Sequence, residues 1–231
     1  MLERRERMHE HLIINHKLLV VIVNKGTAKK IVKACKENGA EGATTLIGNG
    51  TAQKFWGLNF EPEKEIIFIL ITEKLKNDIL NTIIKAACLD KSGQGVAFVL
   101  DIKGIAGICH ICNSQGSTII ESGRSKMGNN NTYDLIVTIV NKGDSELVVE
   151  ASKKAGAQGG TIMNGRGTGI HEQAKLFGLV IEPEKEVVLT LIKKESTEDV
   201  IEAITKEAQL NVPGRGIAFI LPVDQVEGIN H

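Results

Sequence analysis

The sequence predicts an α+β protein built of two tandem ferredoxin-like units, each of order βαββαβ. Three observations carry that prediction. The string EPEKE occurs twice, at Glu61–Glu65 and Glu182–Glu186. It belongs to a longer duplication: LLVVIVNKG (Leu18–Gly26) recurs 117 residues on as LIVTIVNKG (Leu135–Gly143), and GQGVAFVLDIKGIAGI recurs 121 residues on as GRGIAFILPVDQVEGI. Within each copy, β-branched apolar runs alternate with helical patterns in the order that defines the fold. The change of offset places four extra residues in copy two, between Thr168 and Leu176.

Each unit opens on a run rich in β-branched residues, Leu18–Val23 or Leu135–Val140, read as a strand. An amphipathic helix follows. In copy two Leu147, Val148, Ala151 and Ala155 fall at helical spacing, and Gly156 stands where the residue after the C-cap belongs. A short strand (GATTLI in copy one) leads to a Gly-x-Gly and a polar loop. Pro62 and Pro183 cannot donate to a ladder, so each fits just ahead of the next strand, IIFILIT or VVLTLI. A second helix comes next, NDILNTIIKAACL or TEDVIEAITKEAQL. Ser196 is its expected N-cap in copy two, with Asp199 three residues on. A Gly-rich turn then enters the last strand, VAFVLDI or IAFILPV.

The expected organisation is an N-terminal tail or short helix (1–16), a first domain (17–109), a linker (110–132) and a second domain (133–231). The linker is rich in Gly, Ser and Asn and lacks periodicity. The charge sums to zero, with 28 basic and 28 acidic residues, so no global field draws the chain to nucleic acid or anionic lipid. No apolar run has the length of a membrane span, and the N-terminus lacks the apolar centre of a signal peptide. Cys35 and Cys88 read as buried small apolar groups in helices, and a reducing cytoplasm is the expected location.

Ile66–Ile71 is six apolar residues in a row, where a half-buried strand would alternate. Two helices cover only one face of such a sheet. The other face therefore needs a second sheet, from the other copy or another chain, and a homo-oligomer is expected.

Glycines let backbone N–H groups approach phosphate oxygens, and a neighbouring Arg adds a charge-assisted fork. Copy two offers this twice, as Gly165-Arg166-Gly167 followed by Thr168 and as Gly214-Arg215-Gly216. Copy one has a weaker set, Gly48-Asn49-Gly50-Thr51 and Gly93-Gln94-Gly95. The long loop after the first Gly-x-Gly carries Phe55 and Trp56 in copy one, and His171, Glu172 and Phe177 in copy two, as candidate partner contacts. The same aromatics would equally pin the loop base to the body.

These paired Gly-x-Gly motifs, the long loop between them and the closing AF(V/I)L strand, present twice, resemble the P-II nitrogen-regulator signalling family. The resemblance covers most of the chain. It implies a homotrimer whose sheets pack inward, an adenine nucleotide (ATP, ADP or AMP) in clefts between subunits, often with 2-oxoglutarate, and a long loop that docks on a regulated target protein. The sequence departs from the family pattern. Arg215 holds the middle of the second turn, with Ile217 after the last glycine in place of a lysine. Glu184 and Glu63 follow the loop-closing prolines, and VEGINH lacks the family's basic pair. The loop tyrosine is also missing; the single tyrosine, Tyr133, opens a strand, so uridylylation is not expected.

Cys109-His110-Ile111-Cys112 offers two zinc ligands where a structural site needs four. The bland reading is a strand end entering the linker. No nucleophile stands with a His and a carboxylate in a recognisable setting, and no enzyme activity is expected. The EKE runs read as solvated strand ends. The reading reached is a P-II-like sensor of a small anionic effector. The alternatives are a trimeric scaffold that has lost effector binding, or a metal-binding trimer related by fold to divalent-cation-tolerance proteins.

Overall fold

The computed structural model describes residues 16–50, 53–55, 58–60, 62–107, 132–168, 174–176 and 179–228. In chain order the first half holds β1 (His16–Asn24), α1 (Ala28–Glu37), β2 (Ala43–Asn49), β3 (Gln53–Phe55), β4 (Leu58–Phe60), β5 (Glu63–Thr72), α2 (Lys76–Ala87), β6 (Gly95–Asp101) and β7 (Gly104–Ala106). The second half holds β8 (Tyr133–Asn141), α3 (Ser145–Lys154), β9 (Thr161–Thr168), β10 (Ala174–Leu176), β11 (Leu179–Ile181), β12 (Glu184–Lys193), α4 (Thr197–Glu207) and β13 (Gly216–Val223). Removing the short strands leaves βαββαβ in each half. The long loops contain what their polar composition hid: β3 pairs β4, and β10 pairs β11, as three-residue ribbons.

Nine strands join in one antiparallel sheet of order β6-β1-β5-β2-β9-β12-β8-β13-β7. Strands of the two halves pair in two places among the described residues. In the middle, β2 pairs β9 from Ala43 opposite Thr168 to Leu46 opposite Gly165. At the end, β7 leaves β6 and crosses to β13, with Ile105 opposite Phe219, and the Lys103 N–H donates to the Ile220 carbonyl at 2.8 Å.

Three cores result. Ile67, Ile69 and Ile71 of β5 lie under α1 and α2 with Ile31 and Ile83, all fully buried. An equivalent core in the second half gathers Ile136, Val140 and Val188 under Val148, Ile201 and Ile204. The third lies on the helix-free faces and draws on both halves: Leu18, Val20 and Leu46 from one, Val137, Val187 and Phe219 from the other. Ile66, Phe68 and Leu70, the alternate members of the apolar run, pack against it. The cover the apolar run demanded is thus supplied, in part, inside the chain. Burying such side chains stabilises by roughly 1.5–3 kcal/mol each.

Local differences from the sequence reading have local causes. Ser196 holds the N-cap position of α4, but its side chain makes no cap bond. A 3-10 turn over Lys194–Ser196 precedes the helix, and the Thr197 hydroxyl instead donates to Asp134 Oδ2 at 3.0 Å. Gly156 follows the C-cap of α3 at φ +105°, its N–H donating to the Lys153 carbonyl at 3.1 Å. Cys35 is buried, and burial pushes its thiol up to about 12. Cys88 is half-buried and lies just past α2 in the left-handed region, φ +53°, where the chain turns out of the helix. Among the described residues no helix is long and apolar enough to cross a membrane. The expected N-terminal tail, the linker and Cys109–Cys112 lie outside the described residues.

Candidate anion site and the repeated latch

EPEKE closes onto NKG in both halves. The Pro62 carbonyl accepts from Gly50 N–H at 2.7 Å, and the Pro183 carbonyl from Gly167 N–H at 3.1 Å. Glu63 pairs with Lys25, and Glu184 with Lys142 at 2.7 Å. Lys64 donates to Asn24 Oδ1 at 2.6 Å, and Lys185 to Asn141 Oδ1 at 2.7 Å. Glu65 accepts the Ala28 N–H at 2.7 Å; Glu186 accepts those of Gly143 and Ser145 at 3.0 and 3.1 Å. Each residue of EKE therefore answers a group in the turn that starts α1 or α3, which explains why both strings recur together. The EKE runs are not merely solvated: Glu65 is 2 % and Lys185 6 % exposed.

The two glutamates sit where helix N-termini attract anions. Burial alone would raise the Glu186 carboxyl. The hydrogen bonds from the Ser145 side chain and N–H and from Gly143 outweigh it and hold the carboxyl below the usual glutamate range.

The latch also reaches the second glycine turn. Asn24 donates to the Gly93 carbonyl at 3.2 Å, and Asn141 to that of Gly214 at 3.1 Å. This fixes Gly93-Gln94-Gly95 and Gly214-Arg215-Gly216 beside the NKG turns. Arg215 is about one-third exposed. One guanidinium nitrogen lies 3.7 Å from Asp144 Oδ2, and its buried Nε has no hydrogen-bond partner. That leaves a cationic donor between two glycines, held among the described residues by one long ion pair.

Arg166 is engaged differently. It bonds Glu65 Oε1 at 2.8 Å and lies 3.2 Å from Glu182 Oε2, bridging the halves. Its flanking glycines admit the β2 backbone. A Cβ on Gly165 would come within 2.7 Å of Leu46 Cδ2, and one on Gly167 within 2.5 Å of the Ala43 carbonyl oxygen. Two carboxylates neutralise Arg166, and Glu65 spans both its guanidinium and the α1 N-terminus. A phosphate there would compete with a built-in anion.

Of the remaining sequence candidates, Gly48 lies in β2 opposite Lys64, Thr168 ends β9 opposite Ala43, and Phe55 ends β3. Thr51, Trp56, His171, Glu172 and Phe177 lie outside the described residues. The two arginine turns share one end of the sheet without meeting: Arg166 stands opposite Glu184 on β12, and Gly216 opposite Val140 on β8. An open depression at the other end of β8, lined by Tyr133, Lys193 and Lys194, involves neither turn. Among the described residues no group of three His, Cys, Asp or Glu could hold a metal ion. Sequence reasoning missed Glu65 as the hub between halves; its signal was the last glutamate of EPEKE, present in both copies.

Residues 133–231 match the family described as Nitrogen regulatory protein P-II. A solved structure described as Arabidopsis thaliana PII bound to citrate is similar at 19% identity, covering 43% of this chain and 88% of its own, with a TM-score of 0.34. Comparison with curated proteins gives no match.

Proposed function

We propose, from the match of residues 133–231 to the P-II family, that this chain is a P-II-like regulatory protein that senses a small anionic effector, an adenine nucleotide, at the Gly214–Gly216 turn. The observation that carries the reading is Arg215: both arginines leave a buried Nε without a hydrogen-bond partner, but among the described residues the carboxylate paired with Arg215 stands at 3.7 Å, whereas Arg166 has Glu65 at 2.8 Å and Glu182 at 3.2 Å. Lys142, one residue before Gly143 in the adjoining turn, adds a second cation. Glu184 holds its ammonium and raises its pKa, so it stays charged at neutral pH. Gly214 and Gly216 leave the backbone bare for phosphate oxygens.

Effector binding would favour one arrangement of the long loops and so a complex with a regulated target protein. Clefts between units, in a homo-oligomer of the trimeric kind the family suggests, would hold the nucleotide. Copy one, with Gln94 in place of Arg215, would bind more weakly. At the first Gly-x-Gly of copy two the scaffold reading is favoured, because Glu65 and Glu182 already occupy Arg166. No step of this reading is catalytic, and it places the protein in the cytoplasm.

Calorimetry with ATP, ADP and AMP on the full chain and on Arg215→Ala tests it. Binding that weakens about tenfold or more in the variant is expected for a lost charge-assisted contact. Unchanged affinity would remove Arg215 from the site, and absence of binding by all three nucleotides would leave the scaffold reading.

A further inference from the structure

Asp144 and Arg215 change together between the two copies. Their counterparts, 117 and 121 residues back, are Thr27 and Gln94. Copy two thus sets a carboxylate against a guanidinium where copy one has two neutral groups. The NKG and EKE strings around them are identical in both copies, so the latch itself does not require the charged pair. From this and from the geometry of Asp144 we propose that it regulates the Arg215 site: Asp144 competes with the effector for the guanidinium, and a phosphate that takes Arg215 sends Asp144 to cap α3. This role rests on the nucleotide reading above, to which it adds a competitor and a route outward.

Asp144 forgoes the bond its position offers. It is the N-cap residue of α3, where an aspartate ordinarily accepts the N–H of the second or third helical residue. Its side chain makes no such bond. Glu186 takes the N–H groups of Gly143 and Ser145, and those of Glu146 and Leu147, which a cap would take, have no acceptor among the described residues. The Asp144 carboxylate instead lies 3.7 Å from an Arg215 guanidinium nitrogen, beyond hydrogen-bond reach.

Such an exchange leaves no charge stranded. A partly exposed ion pair without a hydrogen bond is among the weakest contacts a chain makes. A phosphate offers the guanidinium charge-assisted bonds of ordinary length. The displaced carboxylate finds the open N–H groups of its own helix, at the end where the helix dipole favours an anion. Arg166 has no such freedom. Glu65 bonds it at 2.8 Å, is 2 % exposed and already holds the Ala28 N–H with its other oxygen. Of the two Gly-Arg-Gly turns, the one at 214–216 is therefore the one an effector can open.

The cap position also reaches the base of the long loop of copy two through its neighbours. Gly143 and Ser145 flank Asp144 and hold Glu186 by their N–H groups. Lys142 holds Glu184. Glu184 follows Pro183, whose carbonyl accepts the Gly167 N–H at the base of that loop. A carboxylate that moves between Arg215 and α3 thus acts on the turn that closes the loop.

Calorimetry with ATP, ADP and AMP on the full chain, on Asp144→Asn and on Asp144→Thr (threonine being the residue of copy one) tests the competition. Each variant should bind about two- to fivefold tighter than wild type, as loss of a partly exposed ion pair allows. With Arg215→Gln added, the same substitutions should leave affinity unchanged, because the competitor acts through the guanidinium. Equal affinity in wild type and the single variants, or a gain that persists without Arg215, would overturn the competition and leave the nucleotide reading standing. Absence of binding by wild type and both variants would overturn the two together. Solvent exchange of the Glu146 and Leu147 amides, followed by NMR with the tightest of the three nucleotides, tests the move to the cap. It should slow when the nucleotide binds wild type and stay unchanged in Asp144→Ala. Unchanged exchange in wild type, or the same slowing in Asp144→Ala, would overturn the move.

Discussion

Phe98 and Phe219 occupy the same place in a repeated strand, yet one is 40 % exposed and the other 2 %. Their strands differ little in sequence, VAFVL against IAFIL. What differs is the neighbour: β7 seals the edge of β13, and the third core closes over its inner face, whereas β6 ends the sheet. Burial here is a property of the assembled joint, and one strand pattern yields a core in one half and a surface in the other.

The largest effect that would break this comparison is at the aromatic pair. Phe219→Ala should cost about 3–5 kcal/mol of stability by urea unfolding, whereas Phe98→Ala should cost within roughly 0.5 kcal/mol in the unassociated chain. Equal losses would mean that β6 is covered. Next is Lys103→Ala, which leaves the buried Asp134 with the Thr197 hydroxyl alone among the described residues and should cost about 3 kcal/mol. Lys17→Ala, removing a cation whose partners are exposed, should cost less than about 1 kcal/mol before association. Gly107→Ala adds a backbone clash to a left-handed cost of roughly 1–2 kcal/mol, and Gly228→Ala carries that cost alone. Thermal unfolding of the two variants should therefore rank Gly107→Ala as the worse.

The smallest effect is the pH dependence of the latch. The Glu186 carboxyl is lowered in the folded chain, so its contribution is complete above the ordinary glutamate value of about 4.3. It is lost as pH falls below that value through the lowered folded one. Glu186→Gln should flatten that part of the stability curve and leave neutral pH nearly unchanged, as unfolding by urea at stepped pH will show.

Much of the fold was legible because periodicity and repetition are local. The strands, the helices, Gly156 beyond α3 and the prolines ahead of β5 and β12 follow from spacing and from what each residue's backbone permits. The short ribbons β3–β4 and β10–β11 were not legible, since three-residue strands in polar loops leave no period to detect. The candidate site was half legible. Gly-Arg-Gly marks a bare backbone beside a cation, but the same three residues at 165–167 serve the approach of β2, with Arg166 claimed by Glu65 and Glu182. At 214–216 they leave Arg215 with a carboxylate no nearer than 3.7 Å among the described residues. No local signal separates the two, because the competing carboxylates arrive from distant strands.

The sequence by itself determined two βαββαβ units. Only the tertiary structure decided that β2 joins β9, that β7 crosses to β13, and that EKE pairs with NKG. Those outcomes depend on which edges and carboxylates come within a few ångströms of each other, and proximity between segments far apart in the chain exists only once it has folded.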